Sequence, residues 1–121
     1  MATTERERKV QERALKLVRQ YGGYVYKNAQ NMYTEKGRPD LSACIPVKLS
    51  KLEEMYGKDA TIGVFLGIEL KRPGKLNEVS FAQEIVGKKI KNAKGIWIAI
   101  DDTDFLEALL FKLTEDNDAI Q

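Results

Sequence analysis

The 121-residue chain has no histidine, one cysteine, three prolines and one tryptophan. The absence of histidine removes the side chain that most often binds zinc or moves protons near neutral pH. A single thiol, Cys44, allows no internal disulfide, so a reducing cytoplasm is the expected setting. No stretch approaches the ~18 apolar residues of a membrane helix. The opening run MATTERERKVQER is charged and lacks the apolar segment of a secretory signal. An excess of one charge sign is missing as well. The formal net charge is only +2, too small to identify a nucleic-acid partner by itself.

What the chain does have is carboxylates and amines. Charged residues make up 31% and apolar residues 43%, the balance of one soluble domain spanning 1–121. Any chemistry must therefore run on Asp, Glu and Lys, groups that suit a hard cation such as Mg²⁺. The charge is unevenly spread. Lys71, Arg72 and Lys75 cluster, as do Lys88, Lys89, Lys91 and Lys94, while Glu115, Asp116 and Asp118 make an acidic end. A basic middle permits phosphate binding, although a solvated lysine face has the same composition.

The apolar pattern predicts the elements. Residues 4–21 read as a helix with Val10, Ala14, Leu17, Val18 and Tyr21 on one face, ended by Gly22-Gly23. Glu7 falls within that face, whereas Glu5 and Glu12 point away. A carboxylate on the buried side needs a partner, a metal or an open cleft. Short strands are expected at Tyr24-Val25-Tyr26 and Leu41–Ile45, with a polar loop between them and a small helix over 48–56. Ile62 to Lys71 is the strongest strand, nearly unbroken in apolar character. A helix follows from Ser80 to Asn92, then a strand from Ile96 to Ile100. A last helix, introduced by Asp101-Asp102-Thr103, runs to about Leu113. The order α-β-β-(α)-β-α-β-α predicts an α/β fold, a mixed central sheet with helices on both faces.

Three ionisable residues converge in this reading. Asp40 opens a strand after the turn Gly37-Arg38-Pro39. Glu69 and Lys71, two apart on the central strand, point to the same side. If the two strands pair in register, both carboxylates can share a divalent cation, with the main-chain carbonyl of Leu70 as a neutral oxygen ligand. Such an all-oxygen set suits Mg²⁺ or Mn²⁺. An isolated Glu-x-Lys on a strand is ordinarily a surface ion pair worth about 0–1 kcal/mol. Here it ends a run that otherwise reads as buried, and a Gly-x-Pro-Asp turn precedes it.

The combination Gly37-Arg38-Pro39-Asp40, Ile68-Glu69-Leu70-Lys71-Arg72, Gly74-Lys75-Leu76, and Ser80 with Gln83 resembles the VRR-NUC family of the PD-(D/E)XK nuclease superfamily. The match runs from about Glu7 to Ile100. It takes in Glu7 with Val10-Gln11 at the start and the late strand Gly95 to Ile100. The resemblance implies a restriction-endonuclease-like core and phosphodiester hydrolysis dependent on Mg²⁺ or Mn²⁺. It assigns metal binding to Glu7, Asp40 and Glu69, the catalytic lysine to Lys71, and active-site support to Gln83, Arg72 and Lys75. The stretch Pro46 to Thr61 departs from the family pattern. So does the long loop before Gly37, which places Tyr33 or Lys36 within reach of DNA. Standalone members, found in phages and prokaryotes, resemble resolvases of four-way (Holliday) DNA junctions, and a homodimer would match that junction's two-fold symmetry. The alternatives are a flap, nick or duplex-end nuclease working with a partner, and a non-catalytic DNA-binding module. The paired carboxylates weigh against the last.

Overall fold

The computed structural model describes residues 4–115, so the acidic Asp116 and Asp118 lie outside the described residues. Helix α1 spans Glu5–Gln20 and is followed by strands β1, Tyr24–Lys27, and β2, Leu41–Cys44. Helix α2, Leu49–Tyr56, occupies the Pro46 to Thr61 stretch. Strand β3, Leu66–Leu70, then leads through a 3₁₀ turn, Leu76–Glu78, into helix α3, Phe81–Asn92. Strand β4, Ile96–Ile100, and helix α4, Asp104–Thr114, complete the order. This is a mixed α/β arrangement with the predicted succession of elements.

The strands form two separate pairs rather than the single mixed sheet expected from sequence. β1 and β2 run antiparallel, with Tyr24 opposite Cys44 and Lys27 opposite Leu41. β3 and β4 run parallel, with Glu69 opposite Ala99 and Leu70 opposite Ile100. A second correction concerns the length of β3. The apolar run from Ile62 predicts a strand of ten residues, yet pairing begins only at Leu66. The preceding helix ends at Asn92 and Lys94, at φ 72°, turns the chain, so β4 begins only at Ile96. Residues 62–64 therefore have no ladder to join, and Ile62 and Val64 stay exposed. Phe65 is the last link, its carbonyl accepting from the Ile96 N–H at 3.0 Å.

The first helix buries only part of the expected face: Ala14, Leu17 and Val18 lie on it as predicted, but its two ends do not. Gln11, Ala14, Leu15, Leu17 and Val18 are half-buried, whereas Glu7, Val10 and Tyr21 are exposed. A helix of 16 residues extends about 24 Å, but the four-residue β1 it packs against extends only about 13 Å. The first turns overhang the strand. Thr4 caps them, its Oγ1 accepting from the Glu7 N–H at 3.1 Å.

Helix α3 packs on the β3–β4 pair, and Gly87 is what permits the close approach. A Cβ there would meet the Trp97 ring at 2.7–2.9 Å, so the indole lies against bare helix backbone. Lys91 adds its ammonium 5.6 Å from the same ring. The expectation of helices on both faces is not met for this pair: only α3 packs closely on it among the described residues. Val25, Cys44, Ile90, Ala93 and Ile100 form the small core. Phe65 sits edge-on to Tyr24 and Tyr26, and the Cys44 thiol donates to the Ala93 carbonyl at 3.5 Å. These contacts join the two strand pairs. No described helix is long and apolar enough to cross a membrane.

Candidate active site

β3 alternates, and its Gly67, Glu69 and Lys71 positions face α3. The Lys71 N–H donates to the Ile100 carbonyl at 2.9 Å, so the ladder holds its backbone one residue beyond the strand. Its ammonium lies 3.8 Å from Glu69 Oε2, with the side chains 17% and 27% exposed. A single ion pair at that distance and exposure adds little to stability, on the order of 1 kcal/mol. What distinguishes this pair is a third partner. Gln83 Nε2 donates to the same Oε2 at 3.0 Å.

Gln83 is held from its own side. Ser80 caps α3, its Oγ accepting from the Gln83 N–H at 3.1 Å, while Gln83 Oε1 accepts from the Ser80 N–H at 2.9 Å. This reciprocal capping box uses the amide oxygen and leaves Nε2 as the free donor. The positive end of the α3 dipole therefore lies beside Glu69 and favours negative charge there. Glu69 Oε1 makes no hydrogen bond among the described residues.

Strand alternation placed Glu69 and Lys71 together and the family resemblance added Gln83; the structure assembles these three. It does not bring Asp40 or Glu7 into the group. Among the described residues, no three acidic or cysteine side chains stand close enough to share a metal ion. The shared site foreseen from sequence required β2 to pair with β3 in register. They form no ladder, so strand pairing does not set Asp40 against Glu69, and no hydrogen bond or ion pair among the described residues joins the two. Asp40 is exposed at the head of β2, and Glu7 is exposed in the first turn of α1, where the helix dipole accounts for a glutamate. The side chain of Leu70 points away from Glu69, on the opposite face of the strand. Arg72 and Glu78 form an exposed pair at 3.7 Å, and Lys75 is exposed. Tyr33 and Lys36 are exposed too.

Two residues that hold the neighbouring turns escaped the sequence reading. Asn28 is only 5% exposed. Its Nδ2 donates to the Pro39 carbonyl at 2.9 Å and to Ser42 Oγ at 2.8 Å, and its Oδ1 accepts from Arg38 at 3.1 Å. Its N–H donates to the Asp40 carbonyl at 2.9 Å. The whole Arg38–Ser42 turn is thereby fixed around Asp40. In sequence, Asn28 is merely the first polar residue after a strand, and nothing marks it as buried. Asp101 is the second. Instead of capping α4, its Oδ2 accepts from the Gly74 N–H at 2.9 Å, which ties the loop after Lys71 to the end of β4. The N-cap is Thr103, and the preceding Asp102 supports the start of the helix, its Oδ1 accepting from the Asp104 N–H at 2.9 Å.

The lysine cluster at 88–94 lies toward the other end of α3 from Gln83. A cavity of about 360 Å³ opens there between the ends of α1 and α3, with Arg19, Lys89 and Asn92 among its walls. Comparison of the chain with family models, curated proteins and solved structures finds no match.

Proposed function

We propose that the protein is a metal-dependent nuclease that hydrolyses phosphodiester bonds in branched DNA, with Glu69, Lys71 and Asp40 as its catalytic groups. The observation that carries this reading is the double hold on Glu69 Oε2 by Lys71 and Gln83 at the N-terminus of α3. The carboxylate is oriented with one oxygen left over, and a fixed cation stands beside it. Such an arrangement suits a phosphate and the water that attacks it. The parallel β3–α3–β4 unit supports a restriction-endonuclease-like core as part of the same proposal.

The donor set is chemically apt for Mg²⁺ or Mn²⁺, being all oxygen: Glu69, Asp40, Glu7 and the Leu70 carbonyl. When bound, the cation would polarise the phosphate and supply hydroxide near neutral pH. Because these oxygens are not gathered in the structure, cation binding to the free protein should be weak and should strengthen with substrate present. The chain's own contributions are separable from the metal. Lys71 offers its ammonium to a phosphate oxygen as a point charge. Gln83 aims Glu69 by donating to its Oε2. Hydrolysis then adds water across the P–O bond, and the leaving oxygen takes up a proton.

A four-way junction is the proposed substrate and a homodimer the acting form, since two opposed strands must be cut. The test is cleavage of four-way, flapped, nicked and linear DNA with Mg²⁺, Mn²⁺, Ca²⁺ or excess chelator. Cutting with Mg²⁺ or Mn²⁺, little with Ca²⁺ and none with chelator is the expected result. Preference for flaps or ends would substitute the partner-dependent nuclease. Binding without cutting under every condition would leave only a DNA-binding module.

A further inference from the structure

Two segments of the chain lack acidic residues altogether. None occurs between Glu12 and Glu35, and none between Glu84 and Asp101, although each stretch carries four Lys or Arg. The whole chain is nearly balanced, with 20 basic and 18 acidic residues. The fold brings these two cationic stretches together. The ends of α1 and α3 meet at the cavity of about 360 Å³, whose walls include Arg19, Tyr24, Lys89 and Asn92 and no carboxylate. Neither Arg19 nor Lys89 forms an ion pair among the described residues. One basic residue in the last turn of a helix is ordinary, since it answers the helix dipole. Two of them on one opening repel each other, and an anion between them turns that cost into attraction.

The cavity lies at the C-terminal end of each helix, which by itself disfavours an anion. Magnitudes decide the sign. A helix end is equivalent to about −0.5 charge, so the two ends together offset only one of the two cations. The nearby carbonyls are also occupied. Those of Leu17, Val18 and Arg19 accept from the Tyr21, Gly22 and Gly23 N–H groups, and those of Lys89, Ile90 and Lys91 from Ala93, Lys94 and Gly95. Lys16, one turn before Arg19 on the same side of α1, adds to the positive field.

Size and lining choose the ligand. At ~30 Å³ per water the cavity holds about a dozen, well beyond the five heavy atoms of a bare phosphate. It falls at the lower end of the ~300–1,000 Å³ of small-molecule sites. Arg19, Lys89 and Asn92 supply donors, whereas Tyr24, Val25 and Ala93 make part of the wall apolar. Duplex DNA carries its phosphates on a convex surface and needs no such recess. The geometry points to a second binding site, in which Arg19, Lys89 and Asn92 hold the phosphate of a nucleotide-sized phosphomonoester and the Tyr24 side takes its organic part. Lys89 and Asn92 lie about 9 and 14 Å beyond Gln83 along α3. The site is thus separate from Glu69 and holds whether or not that group cuts DNA.

The test is a titration of the full chain followed by its amide resonances in NMR. The probes are adenosine 5′-monophosphate, adenosine, inorganic phosphate and a short DNA duplex. The monophosphate should shift the Gly22, Gly23, Asn92 and Ala93 amides and saturate below about 1 mM, leaving Lys71 and Gln83 unmoved. Adenosine and inorganic phosphate should each bind at least tenfold more weakly. Arg19→Gln combined with Lys89→Gln should weaken the monophosphate at least tenfold, the same spectra reporting that the fold is intact. Lys58→Gln combined with Lys112→Gln removes as much charge from exposed positions elsewhere and should leave affinity unchanged. Four results would each overturn the proposal: no saturable shift at the cavity amides, shifts confined to the Glu69 site, equal binding of the monophosphate and inorganic phosphate, or full affinity without Arg19 and Lys89. Shifts of the cavity amides by duplex alone would replace it with a contact to the DNA backbone.

Discussion

Gln83 donates from Nε2 to Glu69 Oε2 across 3.0 Å while its Oε1 closes the capping box with the Ser80 N–H. One side chain thus starts a helix and aims a carboxylate. Gln83→Glu separates the two duties. Glutamate serves equally well in a capping box, so α3 should persist with little change in circular dichroism or melting temperature. The donor to Glu69 becomes a second carboxylate, and cleavage should fall about ten- to hundredfold, matching ~1.5–3 kcal/mol for a charge-assisted hydrogen bond. Gln83→Ala should lose the same activity and also about 0.3–1.5 kcal/mol of stability. Unchanged cleavage in Gln83→Glu would remove Gln83 from the site.

Glu69→Gln and Asp40→Asn alter charge without altering size. Each should keep the fold and lower Mg²⁺-dependent cleavage by at least about a thousandfold, the scale of several kcal/mol of lost metal assistance. DNA binding should persist, because carboxylate–phosphate repulsion is relieved. Lys71→Ala should also be strongly impaired. Glu7→Gln should cost more than Glu12→Gln if Glu7 joins the cation when substrate binds. Equal effects of these two changes in a cleavage assay would place Glu7 outside the site, where the unbound structure leaves it.

Asn28→Ala should destabilise the protein by about 1–3 kcal/mol, since it strands the Pro39 carbonyl and the Ser42 hydroxyl of a buried cluster. Chemical denaturation measures this directly. Asn28→Asp keeps the size but removes the Nδ2 donor, and it places a carboxylate against the Pro39 carbonyl. It should be at least as damaging. Stability equal to wild type in both variants would mean that the Asp40 turn holds its shape without this residue.

Burial pushes the Cys44 thiol above its ordinary value of 9.0, so the folded protein holds the proton longer than the unfolded chain does. The stabilising contribution is complete below that ordinary value and is lost as pH rises through the folded one. Tyr24 acts in the same sense at higher pH, raised from 10.0 by burial and then by the neighbouring Tyr26. Unfolding free energy should therefore decline above about pH 9, and Cys44→Ala should flatten the first part of that decline. A wild-type profile that rises with pH between 9 and 11 would contradict it.

The site was legible where it depends on alternation and spacing. Glu69 and Lys71 fall on one face because strands have a period of two, and Ser80 reads as the N-cap of the helix that follows; its capping box with Gln83 came from the structure, Gln83 having been drawn from the family resemblance. The order of elements followed from apolar periodicity and glycine breaks. What pattern does not encode is the pairing of one segment with another. The run from Ile62 looks like a long strand, yet its length is set by where β4 begins. The extent of the buried face of α1 was misjudged for a similar reason: how much of a helix is buried depends on the size of what it lies on. Asn28 and Asp101 escaped notice because their partners, Pro39, Ser42 and Gly74, are brought to them only by the folded chain.

The seam at Phe65 and Cys44 has a consequence for cooperativity. Among the described residues no ladder hydrogen bond links β1–β2 to β3–β4, so either pair can open without breaking the other's ladder. The contiguous 66–100 segment contains its own helix, both its strands and the Glu69–Gln83 contact. Helix α3 packs on both of these strands, which ties the segment into one unit. Amide protons in β3, α3 and β4 should thus exchange with solvent as one slow group, and those of β1 and β2 as a second, faster one. Opening of the second group would release the Asp40 turn while the Glu69–Lys71–Gln83 cluster stays formed.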